Sequence, residues 1–472
     1  MVFQMVGLFK RLKNKEYKSK NMDYLKLFEG HSDYSSYIAD NGITRPSIGF
    51  CLDENEVHFN EFDGSEQYLT FVAEEPGTFT LTIGSAVTTG DVTSVSYSLD
   101  DGETWTTVNN TASTQVTITT PTVSAGGTVL WKGNATRMAI NSGNTTNTPF
   151  VSSIFSSTGK YSALGNVMSL IYGDNFIGKT SLSGKNFAFS ALFSKNENLK
   201  STKNLALPAT ELSNHCYNAM FSGCTSLTDT PKLPATNLSG TNYCYRLMFS
   251  RCNSLTKAPE LPATTLGVSC YNQMFSYCEQ LITAPRLPAT TLADRCYGAM
   301  FSGCINMINP PQLPASELTL GCYTSMFKGC TSLTTAPALS SMSLNYECYS
   351  DMFSGCTSLS VAPELPATTL AYGCYSEMFM DCTALTTAPV LPATELVTQC
   401  YFSMFYNCSS LNYVKAMFTT NENNMLNYLG GDGDDWWLEY VASSGTFVKN
   451  SAATWNNQYI VPNGWTVQTA SS

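Results

Sequence analysis

The sequence predicts an α+β protein: a solenoid of about nine 26–28-residue repeats preceded by a small antiparallel β-sandwich. Three observations predict it. Sixteen of the 17 cysteines form eight pairs with one internal spacing. Successive pairs are separated by 28 residues once and by 26 residues six times. Ahead of them, residues 66–135 read as β-structure, with Tyr68–Val72 and Thr78–Ile83 alternating with the period of two that a half-buried strand needs.

The pairs are Cys216/Cys224, Cys244/Cys252, Cys270/Cys278, Cys296/Cys304, Cys322/Cys330, Cys348/Cys356, Cys374/Cys382 and Cys400/Cys408. The unit reads C-Y-x-x-M-F-x-x-C-x-x-L-x-x-A-P-x-L-P-A-x-x-L. A degenerate copy precedes it, with Phe189, Leu192, Phe193, Asn196 and Leu199 at the Tyr, Met, Phe, Cys and Leu positions. Each unit has two halves. Tyr217, Met220, Phe221 and Cys224 fall at i, i+3, i+4 and i+7, which predicts one face of a short helix. Leu227 to Pro234 is short and proline-punctuated, which predicts an extended segment, because proline fixes φ and has no N–H. One unit cannot bury its own apolar face; stacked copies can.

In the β-rich segment, strands are expected at Tyr68–Val72, Thr78–Ile83, Val95–Leu99, Val116–Ile118 and Val129–Trp131, with a turn at Asp101-Gly102 leading out through Thr104-Trp105. The expected organisation is an N-terminal basic attachment segment (1–64), the sandwich (65–150), an N-terminal solenoid cap (151–187), the solenoid (188–420) and a C-terminal cap (421–472).

Composition narrows the function. Charged residues are only 13% of the chain, against about 25% in ordinary soluble domains. The net charge is −11, which disfavours a nucleic-acid binder, since phosphates call for a basic face. No run of 18 apolar residues is present to cross a membrane. Residues 1–26 carry seven cations and two anions, a net +5, so the rest carries −16 of the total −11. A basic start on an acidic body is expected to contact something different. Met1–Phe9 is mostly apolar with the cations after it, the reverse of a secretory signal, so general export is not expected. Met22 is an alternative start.

The repeat unit resembles the BspA-like leucine-rich repeats, which recur in surface proteins of gut Bacteroidales and of phages that infect them. Gly165–Phe176 resembles that family's N-terminal lead-in segment; Gly445–Asn450 and Pro462–Val467 resemble its terminal segment. The resemblance covers residues 66–470. It implies a leucine-rich-repeat solenoid acting in adhesion and recognition, without catalysis. Part of residues 23–65 resembles N-terminal segments of gut phage virion proteins.

Candidate chemistry is sparse. Cysteines eight apart do not match a zinc-ligand spacing. On a helix they would lie roughly 12 Å apart, beyond the ~7 Å limit for a disulfide. Equivalent cysteines of neighbouring repeats would be roughly 5 Å apart, so inter-repeat bridges stay open beside the expected reading, a buried ladder of free thiols. Ser98–Trp105 matches the S-x-D-x-G-x-T-W Asp-box of sialidases, whose content is a hairpin turn rather than catalysis. Gly430–Trp437 gathers three carboxylates that calcium could take, with a connecting loop as the plainer reading. His31, His58 and His215 lie in no ligand motif. No cofactor, metal or catalytic residue is expected, although paired carboxylates for glycan cleavage need no local motif.

Binding has better candidates. Core positions of a stack must repeat, while surface positions vary. Two positions of the extended half vary: Asp229, Lys257, Thr283, Asn309, Thr335, Val361 and Thr387 form one column, and Lys232, Glu260, Arg286, Gln312, Ala338, Glu364 and Val390 the other. Both are expected to be exposed, as an extended recognition surface. The expected protein is a non-catalytic homo-oligomer on a virion surface, a fibre or capsid decoration. Its first 64 residues would hold a capsid or tail protein, and its solenoid would meet a host glycan or protein. A bacterial cell-surface adhesin is the alternative, and a glycan-active enzyme the remote one.

Overall fold

The computed structural model describes residues 48–53, 56–61 and 64–470, except 85–86, 88–89, 111–114, 141–150, 420–424, 431–436 and 456–459. The chain divides into two compact units, Met1–Gly64 and Ser65–Ser472. In the first, β1 (Ile48–Asp53) and β2 (Glu56–Glu61) pair antiparallel, Ile48 opposite Glu61. The cationic residues 1–26 lie outside the described residues.

The second unit opens with the five expected strands, β3 (Leu69–Ala73), β4 (Phe79–Ile83), β5 (Val92–Ser98), β7 (Val116–Thr119) and β8 (Thr128–Ala135), and with one not expected, β6 (Thr106–Asn109), which follows the Asp101-Gly102 turn and pairs with β5. After the short β9 (Ala139–Ile140) and β10 (Val151–Ser152) come β11 (Ile154–Ser157), β12 (Tyr161–Asn166), β13 (Leu199–Ser201) and β14 (Leu205–Ala206). One sheet runs β13-β12-β3-β8-β5-β6, with β14 also on β12; a second runs β11-β4-β7. The expected purely antiparallel sheet gives way to a mixed one, because β12 pairs antiparallel with β3 and parallel with β13 and β14. Strands from both sides of residues 141–150 therefore share these sheets, which reach into the degenerate repeat. Gly165 makes the junction close: at φ 80°, a Cβ there would sit 1.9 Å from the Tyr68 carbonyl oxygen. Phe71, Phe79, Phe155 and Tyr161 from both sheets pack as one aromatic cluster.

The repeats follow at steps of 28 and then 26 residues, and their first halves are not the short helices that the spacing predicts. Among the described residues, only α1 (Ser169–Tyr172) and α2 (Met425–Leu429) are α-helical. In place of a helix, each repeat makes a run of overlapping turns. Alternate amides bond inside the repeat, Asn218 N–H to the His215 carbonyl (3.2 Å) and Met220 N–H to Tyr217 (3.2 Å). The amides between them donate to the next repeat, Tyr217 N–H to Cys244 (3.0 Å), Ala219 to Arg246 (2.7 Å) and Phe221 to Met248 (2.9 Å). An α-helix would use all of these donors internally.

This geometry demands positive φ every fourth residue, as at His215 (57°), Ala219 (53°) and Gly223 (77°), and the same three positions are left-handed in every cysteine repeat. The apolar pairs Cys216-Tyr217 and Met220-Phe221, with Cys224, therefore turn inward with a period of four, and all five are fully buried. The extended halves meet through isolated parallel bridges such as Thr283 to Asn309 and Thr335 to Val361.

Rings stack from repeat to repeat. One column runs Phe189, Tyr217, Tyr245 and on to Tyr401, with centroids 5.7–6.0 Å apart. The other runs Phe193, Phe221, Phe249 and on to Phe405, 5.4–5.8 Å apart. Phe155 of β11 stacks on Phe193 at one end, and Trp437 tilts against Phe405 at the other. Beyond the repeats, β15 (Tyr413–Ala416), β16 (Thr446–Lys449) and β17 (Thr466–Thr469) form a parallel sheet.

Gly329 separates the two readings of the repeat. In a helix, Gly329→Ala would stabilise by about 1 kcal/mol. Here Gly329 has φ 72° with no atom within 3.4 Å of a built Cβ, so the substitution should destabilise by about 1 kcal/mol, read from the urea midpoint. Gly303→Ala should lose more, because its Cβ would meet the Tyr277 ring at 2.6 Å.

Candidate functional site

The two variable columns lie on the extended halves. Lys257, Thr283, Asn309, Thr335, Val361 and Thr387 are exposed, and so are Lys232, Glu260, Arg286, Gln312, Ala338, Glu364 and Val390. The cause is the strand-like alternation around them: Leu233, Leu261 and Leu287 point into the core beside Lys232, Glu260 and Arg286. Parallel bridges hold members of the first column side by side, and Asn309 Nδ2 donates to Thr283 Oγ1 at 3.1 Å.

Asp229 departs from the expectation of an exposed binding residue. It is half-buried, and its carboxylate accepts from Ser201 Oγ and the Thr202 amide, both at 2.7 Å. Asp229 fastens the first cysteine repeat to the degenerate one; it is a structural residue.

The columns change character along the stack. Lys232, Lys257 and Arg286 fall in the first three cysteine repeats, with Glu260 among them. Further on, Thr335, Ala338, Val361, Thr387 and Val390 are neutral, with Glu364 the one charge. A third exposed column was missed by sequence reasoning: Thr228, Thr256, Ile282, Ile308, Thr334, Ser360 and Thr386. Ile282 and Ile308 are each 47% exposed and adjacent, the Ile308 amide donating to the Ile282 carbonyl at 3.0 Å. The available signal was isoleucine at a position that is otherwise Thr or Ser.

All sixteen repeat cysteines are buried free thiols. All eight second-column thiols donate to a phenylalanine carbonyl one repeat back, among them Cys224 to Phe193 and Cys278 to Phe249 at 3.0 Å and Cys330 to Phe301 at 3.2 Å. Burial pushes these groups up, Cys278 to about 12, so the nucleophilic thiolate is not populated near neutrality. No group of three or more His, Cys, Asp or Glu able to hold a metal occurs among the described residues. Cys51 stands opposite His58 in the backbone register of β1 and β2.

The Asp-box forms the hairpin turn that its sequence predicts. Asp100 accepts from Ser98 Oγ (2.7 Å), the Thr104 amide (2.9 Å) and Thr104 Oγ1; Gly102 has φ 93°; Trp105 Nε1 donates to the Gly102 carbonyl (3.1 Å). The bonds from Thr104 come first among the causes that lower the Asp100 carboxyl to about 2. Its contribution is present above the ordinary Asp value of about 3.9 and is lost as pH falls through about 2. Lys132 Nζ lies over the Trp105 ring at 4.1 Å and on Asp174 at 2.8 Å, so this corner is internally satisfied.

His215 stacks between Phe187 (4.6 Å) and Tyr243 (4.7 Å). Desolvation, then the Arg246 charge, lowers it to about 4, so it is neutral at physiological pH. His31, Asp432, Asp434 and Asp435 lie outside the described residues. Compared with known proteins, the chain matches no family model and no curated protein.

The thiols should be silent in the native protein. Iodoacetamide at pH 8 should label none of the sixteen repeat cysteines until denaturant is added, as read by peptide mass spectrometry. Cys278→Ala, which removes a donor and leaves a small cavity, should destabilise by about 1–3 kcal/mol.

Proposed function

We propose that residues 188–420 form a leucine-rich-repeat solenoid of the BspA-like kind, capped by residues 151–187 and 421–472, and that the whole chain is a non-catalytic recognition and display protein on a virion surface, a fibre or capsid decoration. The observation that carries this reading is the division within each repeat. Tyr, Met, Phe and both Cys are buried and nearly invariant from copy to copy, while the two variable columns stand exposed side by side on successive repeats. A stack built this way presents a long surface whose side chains change without disturbing the core. In this reading, residues 1–64 hold the particle and the solenoid meets a host-surface glycan or protein.

Two experiments test it. Deleting residues 1–64 should release the protein from purified particles and leave the thermal unfolding of the remainder unchanged; continued co-sedimentation would place the anchor elsewhere. Lys257→Glu together with Arg286→Glu should weaken binding to host cells by roughly tenfold, the size of about 1.4 kcal/mol. Unchanged binding would remove the extended face from the recognition surface.

A further inference from the structure

The turn halves of the repeats carry a second outward surface, and its pattern matches itself in reverse. The position directly before the second cysteine of successive repeats reads Arg251, Tyr277, Gly303, Gly329, Gly355 and Asp381. All six have positive φ, so they occupy the same place in the turn run. Arg251 and Tyr277 are exposed, with the guanidinium 4.7 Å from the ring centroid. The Tyr277 ring leans over Gly303. Gly329 and Gly355 continue as a floor without side chains. Asp381 accepts from Asn407 Nδ2 at 2.7 Å. Among the described residues, no carboxylate forms an ion pair with Arg251 and no cation forms one with Asp381.

Two copies facing each other across a two-fold axis perpendicular to the stack bring each column onto itself in reverse order. With the axis between Gly303 and Gly329, Arg251 opposes Asp381, Tyr277 opposes Gly355, and Gly303 opposes Gly329. Cation meets anion, a ring meets a place without a side chain, and glycines at the axis permit close backbone approach. Arg246, in the repeat of Arg251, comes to the repeat that carries Glu377. A parallel arrangement in register would set Arg251 against Arg251 and Asp381 against Asp381, which like-charge repulsion opposes.

We infer that this chain forms an antiparallel homodimer through the turn face, with Arg251 and Asp381 as its reciprocal ion pair. The inference does not depend on what the protein recognises. The test is sedimentation velocity on the full chain, wild type and variants, at low ionic strength. Wild type should show a dimer that weakens as salt rises. Arg251→Asp alone and Asp381→Arg alone should each weaken dimerisation by roughly a hundredfold, because each change is felt at both symmetry copies. The double variant, Arg251→Asp with Asp381→Arg, should recover it. Asp381→Asn, which keeps an acceptor for Asn407, should weaken it less with unchanged circular dichroism. A wild-type mass equal to the monomer at all concentrations overturns the inference, as does a mass that Arg251→Asp leaves unchanged. Loss in both single variants without recovery in the double variant overturns the antiparallel register.

Discussion

The structure depends on one constraint: every repeat must offer its neighbour the same ring at the same height and the same amides in the same register. The two ring columns, at 5.4–6.0 Å per step, meet the first demand. The alternating amides meet the second, since half of the donors in each turn run leave the repeat to find a carbonyl in the next. These two demands explain the left-handed residues. Positive φ costs roughly 1–2 kcal/mol in a non-glycine residue, yet Leu247, Gln273 and Asp351 adopt it. They do so because a right-handed turn there would withdraw the amide from the neighbouring repeat and leave it buried without a partner. Stability is thus held between repeats, and one unit alone would have half its donors unmet.

The same constraint says what was legible in the sequence. Period-two alternation located β3 and β4, because a half-buried strand writes its two faces directly into the chain, and short β-branched and aromatic runs located β5, β7 and β8. The repeat length was legible from the cysteines. The conformation of the turn half was misread. Tyr217, Met220, Phe221 and Cys224 fit helical spacing, but including Cys216 makes the pattern 216/217, 220/221, 224, a period of four with no drift. An α-helix of 3.6 residues per turn would drift across those two steps. The path of the sheets past residue 150 was not legible, because β13 and β14 are two or three residues long and owe their strand conformation to β12.

The candidate surface was legible by its variation, and the exceptions have physical causes. Asp229 varies like a surface residue because it stands at a junction: the preceding repeat is the degenerate one, and only there do Ser201 and the Thr202 amide need a carboxylate. Ile282 and Ile308 escaped notice because a consensus dominated by threonine reads as fixed. A position can be chemically uniform for its β-propensity and still face water. The turn-face column escaped for a different reason. Arg251, Tyr277, three glycines and Asp381 look unrelated until the fold shows that all occupy one left-handed position.

The cysteines show why this core uses thiols and neither alanine nor serine. The Phe249 carbonyl already accepts the Cys252 amide at 3.1 Å and has a second lone pair facing the next layer. Cys278 fills the space as a small apolar group and donates to that lone pair through sulfur at 3.0 Å. Alanine would leave the carbonyl half-satisfied, and serine would bury a more strongly hydrated group. The degenerate repeat supports this account. Asn196 stands at the cysteine position, against the sheets rather than another repeat, and its Nδ2 donates to the Phe155 carbonyl at 3.1 Å and to Tyr161 Oη at 2.8 Å. The column keeps its donor where it loses its cysteine. The donor is therefore the conserved requirement of the stack, and sulfur is the form it takes wherever the next layer is another copy of the repeat.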